Sequence, residues 1–402
     1  MSNKKKYSVV ELFAGVGGFR VGLEAAGKWD VVFANQWEPG KKNQWAFDCY
    51  TSHFTTGIHS NEDIAQVKAE DIPNHTLLVG GFPCQDYSVA ATLAKGIQGK
   101  KGILWWEIRR IIEAKEPQFI LLENVDRLIK SPANQRGRDF AIILSCLNAL
   151  GYVVEWRVIN AADYGFPQRR RRTFIFASKT NEKVSSLYTS DAESVLLKKG
   201  FFAQAFPVEQ DKPLHQVDIP EDLVKITNEF STLFSNSGFS YDFRCFHLHT
   251  VPIHVQGGRT LGDILDKEVD ESFYLDDQDL EKWKYMKGSK REVRKTRDGF
   301  EYNYTEGAIP FPEFLDRPSR TMLTSESTKN RSTHVIRDPH TNRLRLLTPQ
   351  ECEKLDGFEP GWTATGMPLR MRYFCMGNAL VVGLIEKMGL MLLKYGKDFK
   401  LL

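Results

Sequence analysis

The segment Gly80-Gly-Phe-Pro-Cys-Gln-Asp-Tyr-Ser88 sets a lone cysteine directly after a proline, behind the short apolar run Leu77-Leu-Val79. In a loop at the carboxyl end of a strand, such a cysteine is exposed where a nucleophile works. A free thiol titrates near 8.5, and nearby cations or helix N-termini lower that value. The other reading of Cys84 is a buried structural thiol, the commoner fate of a lone cysteine; Gln85 and Asp86 are not the apolar neighbours it would need. A second run, Phe119–Leu122, delivers Glu123-Asn124-Val125. A carboxyl at the end of an apolar strand loses solvation, so its pKa rises and it can give up a proton near neutral pH; otherwise it caps a helix. A third segment, Tyr164-Gly-Phe-Pro-Gln-Arg-Arg-Arg-Arg172, runs straight into Thr173–Ala177. Four arginines entering a buried strand cannot all be solvated, and alternate ones should point into a cleft and meet anions.

These residues need a scaffold, and the first ~180 residues supply one by alternation. Strand-like runs at Ser8–Phe13, Val31–Ala34, Leu77–Val79, Phe119–Leu122, Val153–Ile159 and Thr173–Ala177 are separated by helix-length stretches, the clearest being Leu104–Ala114, closed by Pro117. That pattern predicts an α/β fold: a doubly wound, mostly parallel sheet with helices on both faces. Ligands then bind outside the carboxyl ends of the strands. The first strand empties into Phe13-Ala-Gly-Val-Gly-Gly-Phe19, a glycine turn that lets backbone approach a ligand. It is not the dinucleotide fingerprint GxGxxG, which would need glycine where Arg20 stands, so an NAD-dependent oxidoreductase is disfavoured. The second strand ends at Asn35-Gln36-Trp37-Glu38: a polar residue for ribose hydroxyls and an aromatic for an adenine face, unless Trp37 is core filler. Asp63-Ile64 could grip an adenine edge or simply cap a helix. After Ser178 the chain turns irregular as far as about Pro318, with aromatic fragments and glycine turns, and reads as a second, less regular domain. The stretch from Gly377 to about Leu393 looks helical and should pack back on the first domain.

The bulk numbers agree with an ordinary globular chain: 402 residues and a hydrophobic share of 42%. No apolar run approaches the ~20 residues of a membrane span, and the basic start Met1–Lys6 is followed by nothing resembling a secretory core. The six cysteines form no CxxC pair, which fits a reducing cytoplasm and gives no metal or disulfide framework. The net charge of +3 says little, but Lys282 to Arg297 holds eight Lys and Arg residues and could be a phosphate-binding surface or a solvated charged segment.

Taken in order, these segments resemble the DNA cytosine-5 methyltransferases over nearly the whole chain. FAGVGG at 13–18 is similar to their cofactor loop, GFPCQ at 81–85 to their nucleophile motif and ENV at 123–125 to their glutamate motif. QRRRR at 168–172 fits Gln-x-Arg-x-Arg and selects Arg170 and Arg172. Arg317-Pro-Ser-Arg-Thr-Met322, Leu346-Leu-Thr-Pro-Gln-Glu-Cys352 with Gly357-Phe358, and Gly377-Asn-Ala-Leu380 resemble later motifs. Two positions depart from the family pattern: Gln36 replaces the usual acidic ribose ligand, with Glu38 nearby, and Ala379 stands where serine is frequent.

The resemblance implies a catalytic and cofactor-binding domain at 1–184, a smaller, β-rich target-recognition region at 185–316, its framework and hinge at 317–365 and a returning segment at 366–402. It implies Cys84, Glu123, Arg170 and Arg172 as catalytic residues. S-adenosyl-L-methionine, left as S-adenosyl-L-homocysteine, would be held by Phe13, Gly15, Val16, Gly18, Gln36, Trp37, Asp63, Ile64, Gly81, Pro83, Leu104, Asn378, Ala379 and Leu380, with no metal. Double-stranded DNA would meet Gln85, Ser88, Lys290, Arg291, Arg294 and Arg320. The implied reaction is methylation of C5 of a flipped-out cytosine through a Cys84–C6 adduct, by a cytoplasmic monomer paired in function with a restriction endonuclease that it does not touch. A transfer-RNA cytosine methyltransferase on the same catalytic domain is the competing expectation. A non-catalytic DNA-binding regulator is a weaker one, because such a protein would be free to lose Cys84 or Glu123.

Overall fold

The computed structural model describes residues 6–82, 103–296 and 299–402. The chain divides into two compact units: Met1–Tyr164, Arg170–Gln256 and Val381–Leu402 in the first, Gly165–Arg169 and Gly257–Leu380 in the second. The first unit runs β1 (Tyr7–Leu12), α1 (Gly18–Ala26), β2 (Trp29–Asn35), α2 (Trp45–His53), β3 (Ile58–Ser60), β4 (Leu77–Gly81), α3 (Ile103–Lys115), β5 (Phe119–Val125), α4 (Arg138–Ala149), β6 (Tyr152–Asn160) and β7 (Arg171–Lys179). It continues through α5 (Glu182–Tyr188), α6 (Phe201–Ala205), β8 (Val208–Gln210), β9 (His215–Asp218), α7 (Leu223–Glu229), β10 (Ser237–Tyr241), β11 (Arg244–Leu248) and β12 (Thr250–Pro252). The second unit holds α8 (Leu280–Lys287), β13 (Lys290–Lys295), β14 (Glu301–Glu306), β15 (Val335–Arg337), β16 (Leu344–Leu346), α9 (Pro349–Asp356) and α10 (Leu369–Asn378); α11 (Val382–Asp398) returns to the first.

Among the described residues the first unit is built on one ten-stranded sheet in the order β3-β2-β1-β4-β5-β7-β6-β10-β11-β9. The strands β1 and β5 are apolar over most of their length because both faces are covered, as strands of a parallel sheet must be. On one face Val10, Leu12, Leu78, Ile120 and Leu122 pack with Ile108, Ile111 and Ile112 of α3 and Ile143 and Leu147 of α4. On the other face lie α1 and α11. The Trp29 indole N–H donates to the Gly389 carbonyl at 3.1 Å, and a Cβ on Gly22 would come within 2.6 Å of Ile385, so glycine lets these two helices touch. Phe119, Phe176, Phe201 and Tyr395 complete that layer with edge and stacked ring contacts.

Three expectations need correction. The sheet is mixed rather than mostly parallel: β3, β2, β1, β4 and β5 are parallel, but β7 runs antiparallel between β5 and β6. The short connection from β6 to β7 turns the chain straight back, and β10, β11 and β9 then add antiparallel strands beside β6. As a result residues 185–256 sit with the first unit, and the compact second unit opens its main segment only at Gly257. The C-terminal helix is likewise two helices, since backbone at Ala379 is extended between α10 and α11. The stretch Leu369–Asp398 that spans both is long and apolar enough for a bilayer by composition. Most of its apolar residues are spent inside the protein, where Leu384, Ile385, Met388 and Leu392 are buried, while Leu369 and Leu390 are exposed.

Candidate active site and cofactor loop

Strand β1 ends in a backbone that departs from ordinary geometry. Phe13 and Gly15 both take φ near 56°, and Gly17 takes φ 94° as the N-cap of α1. Left-handed backbone at a non-glycine residue such as Phe13 is strained and is characteristic of ligand clamps. A Cβ on Gly15 would meet nothing within 4 Å, so open space lies over the turn, whereas one on Gly17 would come 2.5 Å from Phe54. The Gly15 N–H is held by the Gln36 side-chain oxygen at 2.8 Å. Gln36 is itself fixed by Asn61, whose amide donates to the Gln36 carbonyl at 2.7 Å. The residue departing from the family pattern therefore latches the glycine turn to the end of β2. Trp37, the next residue, is 36% exposed, a ring face available to solvent rather than core filler.

Asp63 accepts the Ala65 N–H at 3.0 Å and so does cap its turn, while Ile64 is buried in the core. Val16 and Gly18 are buried in the turn into α1. Leu104 is partly buried against the α3 core; Asn378 ends α10, and Ala379 and Leu380 follow it in the second unit. Pro83, Cys84, Gln85 and Ser88 lie outside the described residues.

The candidate acid, Glu123, is placed by strand register. Gly81 at the end of β4 pairs with Glu123 near the end of β5, and a Cβ on Gly81 would come 3.2 Å from the Glu123 carboxylate. The chain that continues from Gly81 toward Cys84 thus leaves β4 beside this acid. Asn124, which the sequence reading passed over, donates to the Phe82 carbonyl at 2.7 Å and accepts the Val125 N–H at 2.8 Å. It clamps the last described residue before the cysteine segment.

On the other side of β5, β7 pairs Phe174 with Glu123 and Arg172 with Val125. Arg172 and Glu123 are then diagonal neighbours on one face of the sheet, and the Arg172 Nε sits 2.7 Å from the Glu123 Oε1. The four arginines alternate as expected: Arg169 and Arg171 are exposed, Arg170 is 1% exposed and Arg172 is half-buried. Burial pushes the Glu123 carboxyl above the ordinary carboxylate range, and the charges of Arg172 and Arg170 pull it partway back. A carboxyl balanced in this way keeps its proton to higher pH than an ordinary carboxylate yet remains oriented by a cation.

Beneath the glycine turn lies a second buried acid that sequence reasoning also missed. Glu11 on β1 is fully buried and accepts the Tyr50 hydroxyl at 2.9 Å, and burial pushes it up to about 8. Arg20 bonds Thr56 and Glu24 alongside. An acidic residue inside an otherwise apolar strand was its available signal.

The basic run in the second unit is less open than its sequence suggests. Lys282 pairs with Asp279, Lys284 with Glu281 and Lys295 with Glu301. Lys287 is buried against the Thr333 carbonyl. Lys290 lies over the Tyr285 ring at 4.2 Å, and Arg294 over the Tyr304 ring at 3.5 Å. Arg320 is committed to Glu313 and to the Ser332 carbonyl. Arg291 is exposed; Arg297 lies outside the described residues.

Comparison with known proteins shows the family. The model of the C-5 cytosine-specific DNA methylase family matches residues 7–394. Type II methyltransferase M.Sau3AI of Staphylococcus aureus is 52% identical over 394 residues, which cover 96% of this chain and 95% of that protein. Type II methyltransferase M.DsaV of Dactylococcopsis salina is 28% identical, covering 98% of this chain and 87% of its own. Among solved structures, the Entamoeba histolytica methyltransferase EhMeth superposes with a TM-score of 0.60 at 17% identity, over 98% of this chain and 99% of that one, which shows the shared fold. With a glycine turn, a buried acid and paired arginines at successive strand ends, the chain belongs to the C-5 cytosine-specific DNA methylase family.

Proposed function

We propose that this methylase transfers a methyl group from S-adenosylmethionine to C5 of a cytosine rotated out of a specific double-stranded DNA sequence, through a covalent bond between Cys84 and C6. The observation that carries the reading is Glu123: buried, raised, held by Arg172 and set beside the strand end that leads into Cys84. A base inside a duplex cannot reach such a group, so it must leave the stack.

The first unit suits the cofactor. The open space over Gly15, the strained Phe13 and the exposed Trp37 ring form a turn and a flat apolar face, with Gln36 and Asp63 as polar neighbours. In this reading Phe13, Gly15, Val16, Gly18, Gln36, Trp37, Asp63, Ile64, Gly81, Pro83 and Leu104 hold it. The cofactor supplies an electrophilic methyl group.

The chain's own residues do the rest. The Cys84 thiolate adds to C6, forming the S–C6 bond and turning C5 into a nucleophilic, enamine-like carbon. Glu123 gives its proton or a hydrogen bond to N3, stabilising charge that develops only as the thiolate adds. Arg172 keeps that carboxyl oriented, and Arg170 adds a buried positive charge beside it. Once C5 carries the methyl group, its proton leaves to a solvent base, the electron pair re-forms the C5–C6 double bond and the sulfur departs. Recognition of DNA is assigned to the part of residues 185–316 that lies in the second unit, with 317–365 as its framework. The names of the relatives support DNA rather than transfer RNA as substrate, and with it a restriction endonuclease as functional counterpart.

The test is trapping. A duplex carrying 5-fluorocytosine at the target should leave a covalent adduct on Cys84, because fluorine cannot depart as a cation. Cys84→Ser should lose turnover and the adduct while still binding the cofactor; methylation that survives this substitution removes the mechanism.

A further inference from the structure

The β13–β14 hairpin has two unlike faces. Its register pairs Lys290 with Glu306, Glu292 with Tyr304 and Arg294 with Tyr302, and on the opposite face Arg291 with Thr305, Val293 with Asn303 and Lys295 with Glu301. The first face is committed internally. Glu292 accepts from the Tyr285 hydroxyl at 2.9 Å and pairs with Arg294 at 3.3 Å, Arg294 covers the Tyr304 ring, and Glu306 pairs with Arg331 at 2.9 Å. These contacts anchor the hairpin to α8 and to the Arg331 segment within the second unit.

On the second face the third row is an ion pair, Lys295 with Glu301 at 2.9 Å, and the other two rows are the opposite case. Arg291, Val293, Asn303 and Thr305 are all exposed, Val293 at 65%, and their side chains have no polar partner among the described residues. They form two cross-strand rows, Arg291–Thr305 and Val293–Asn303. Rows two residues apart along a strand are separated by roughly 6.8 Å, close to two base-pair steps of about 3.4 Å. A two-stranded ribbon fits the major groove of B-DNA, where arginine forks onto guanine, asparagine onto adenine, and an apolar or threonine methyl group meets the thymine methyl. The residue types in these two rows are those of base readers, while Lys290 and Arg294 are drawn to the other side and Lys295 is paired with Glu301 in the third row.

We infer that this face of the hairpin reads base edges in the major groove, with Arg291 and Asn303 as the specificity-determining side chains and Val293 and Thr305 as their apolar and hydroxyl neighbours. The inference deepens the proposed DNA substrate and rests on it. It expects a recognition sequence with at least one G·C and one A·T pair two steps apart, with one pair between them.

The experiment separates the two claims by using two readouts on the full chain: sequencing of the duplexes retained from a random-sequence pool, and sequencing of 5-methylcytosine in the same pool. Arg291→Ala and Asn303→Ala should each lower the preference for the wild-type sequence about fivefold to over a hundredfold at one base pair, with thermal midpoints unchanged because both residues are exposed. Arg291→Lys keeps the charge but not the fork, so it should lose that preference as well. If the substitutions weaken binding equally for every sequence, or Arg291→Lys behaves as wild type, the face contacts phosphate only and the inference is wrong. Unchanged sequence preference in all three variants also overturns it. Selective binding that responds to these substitutions without any methylation would instead overturn the proposed reaction and leave the hairpin reading standing.

Discussion

Glu11 offers a quantitative check on the scaffold beneath the glycine turn. Its carboxyl is fully buried on β1, bonded to Tyr50, with Arg20 and Glu24 close by, and is pushed from 4.5 up to about 8. The folded protein therefore keeps this proton up to about pH 8, while the unfolded chain loses it near 4.5. Between those limits the unfolded state alone ionises, so stability is whole at low pH and falls as pH rises. At about 1.4 kcal/mol per pH unit the loss across the window is on the order of 4–5 kcal/mol. Glu11→Gln mimics the protonated acid, with one acceptor and one donor, and cannot ionise in either state. Urea unfolding of both proteins from pH 5 to 8, taken as a difference, cancels every other titrating group. The variant should gain on the wild type by about 1 kcal/mol or more for each unit above pH 5. Parallel pH profiles would refute the argument, and so would a variant that is less stable than wild type by the same amount throughout.

Two further outcomes follow from the same electrostatics. Glu123 is raised, chiefly by burial, so it keeps the proton that the proposed reaction assigns to it to a higher pH than an ordinary carboxyl. In the kcat/KM profile this should give a limb that declines as pH rises past its pKa. Glu123→Gln should slow turnover roughly 10²- to 10⁴-fold and abolish that limb; a variant that keeps the limb shows that another group carries it. In the second unit, Arg345 is fully buried between Asp338 at 2.6 Å and Glu351 at 2.8 Å. Against the upward push of burial, Arg345 and the His340 and Thr341 N–H groups hold Asp338 at about 2. Arg345→Met strands both carboxylates and should cost about 3–5 kcal/mol in denaturant unfolding; a loss below about 1 kcal/mol would show that the triad is not what holds this unit.

The residues legible in the sequence are those whose role is local. Strands such as Leu77–Gly81 and Phe119–Val125 announce themselves because burial on both faces demands unbroken apolar runs. The alternation of Arg169 to Arg172 could be read for the same reason, since strand geometry forces every second side chain inward. Whatever depends on pairing was not legible. Strand direction carries no compositional mark, so β7 reads like any other apolar strand although it runs against its neighbours. Gln36 looks like a weakened ribose ligand until Gly15 is found bonded to its side chain, and Asn124 looks incidental until its bond to Phe82 appears.

The basic run from Lys282 shows the limit most sharply. Counted along the chain, its cations are equivalent; folded, register divides them, and a one-residue shift would exchange the two faces of the hairpin. Charge density therefore identifies the segment, Arg291 included, but does not separate it from the cations already committed within the fold. Lys290 and Arg294 are consumed in holding the hairpin's shape, and that same commitment leaves Arg291 and Asn303 as the groups a rigid ribbon can present. Specificity of this kind depends on which donors the fold has already satisfied, since a donor spent internally has little left to distinguish one base pair from another.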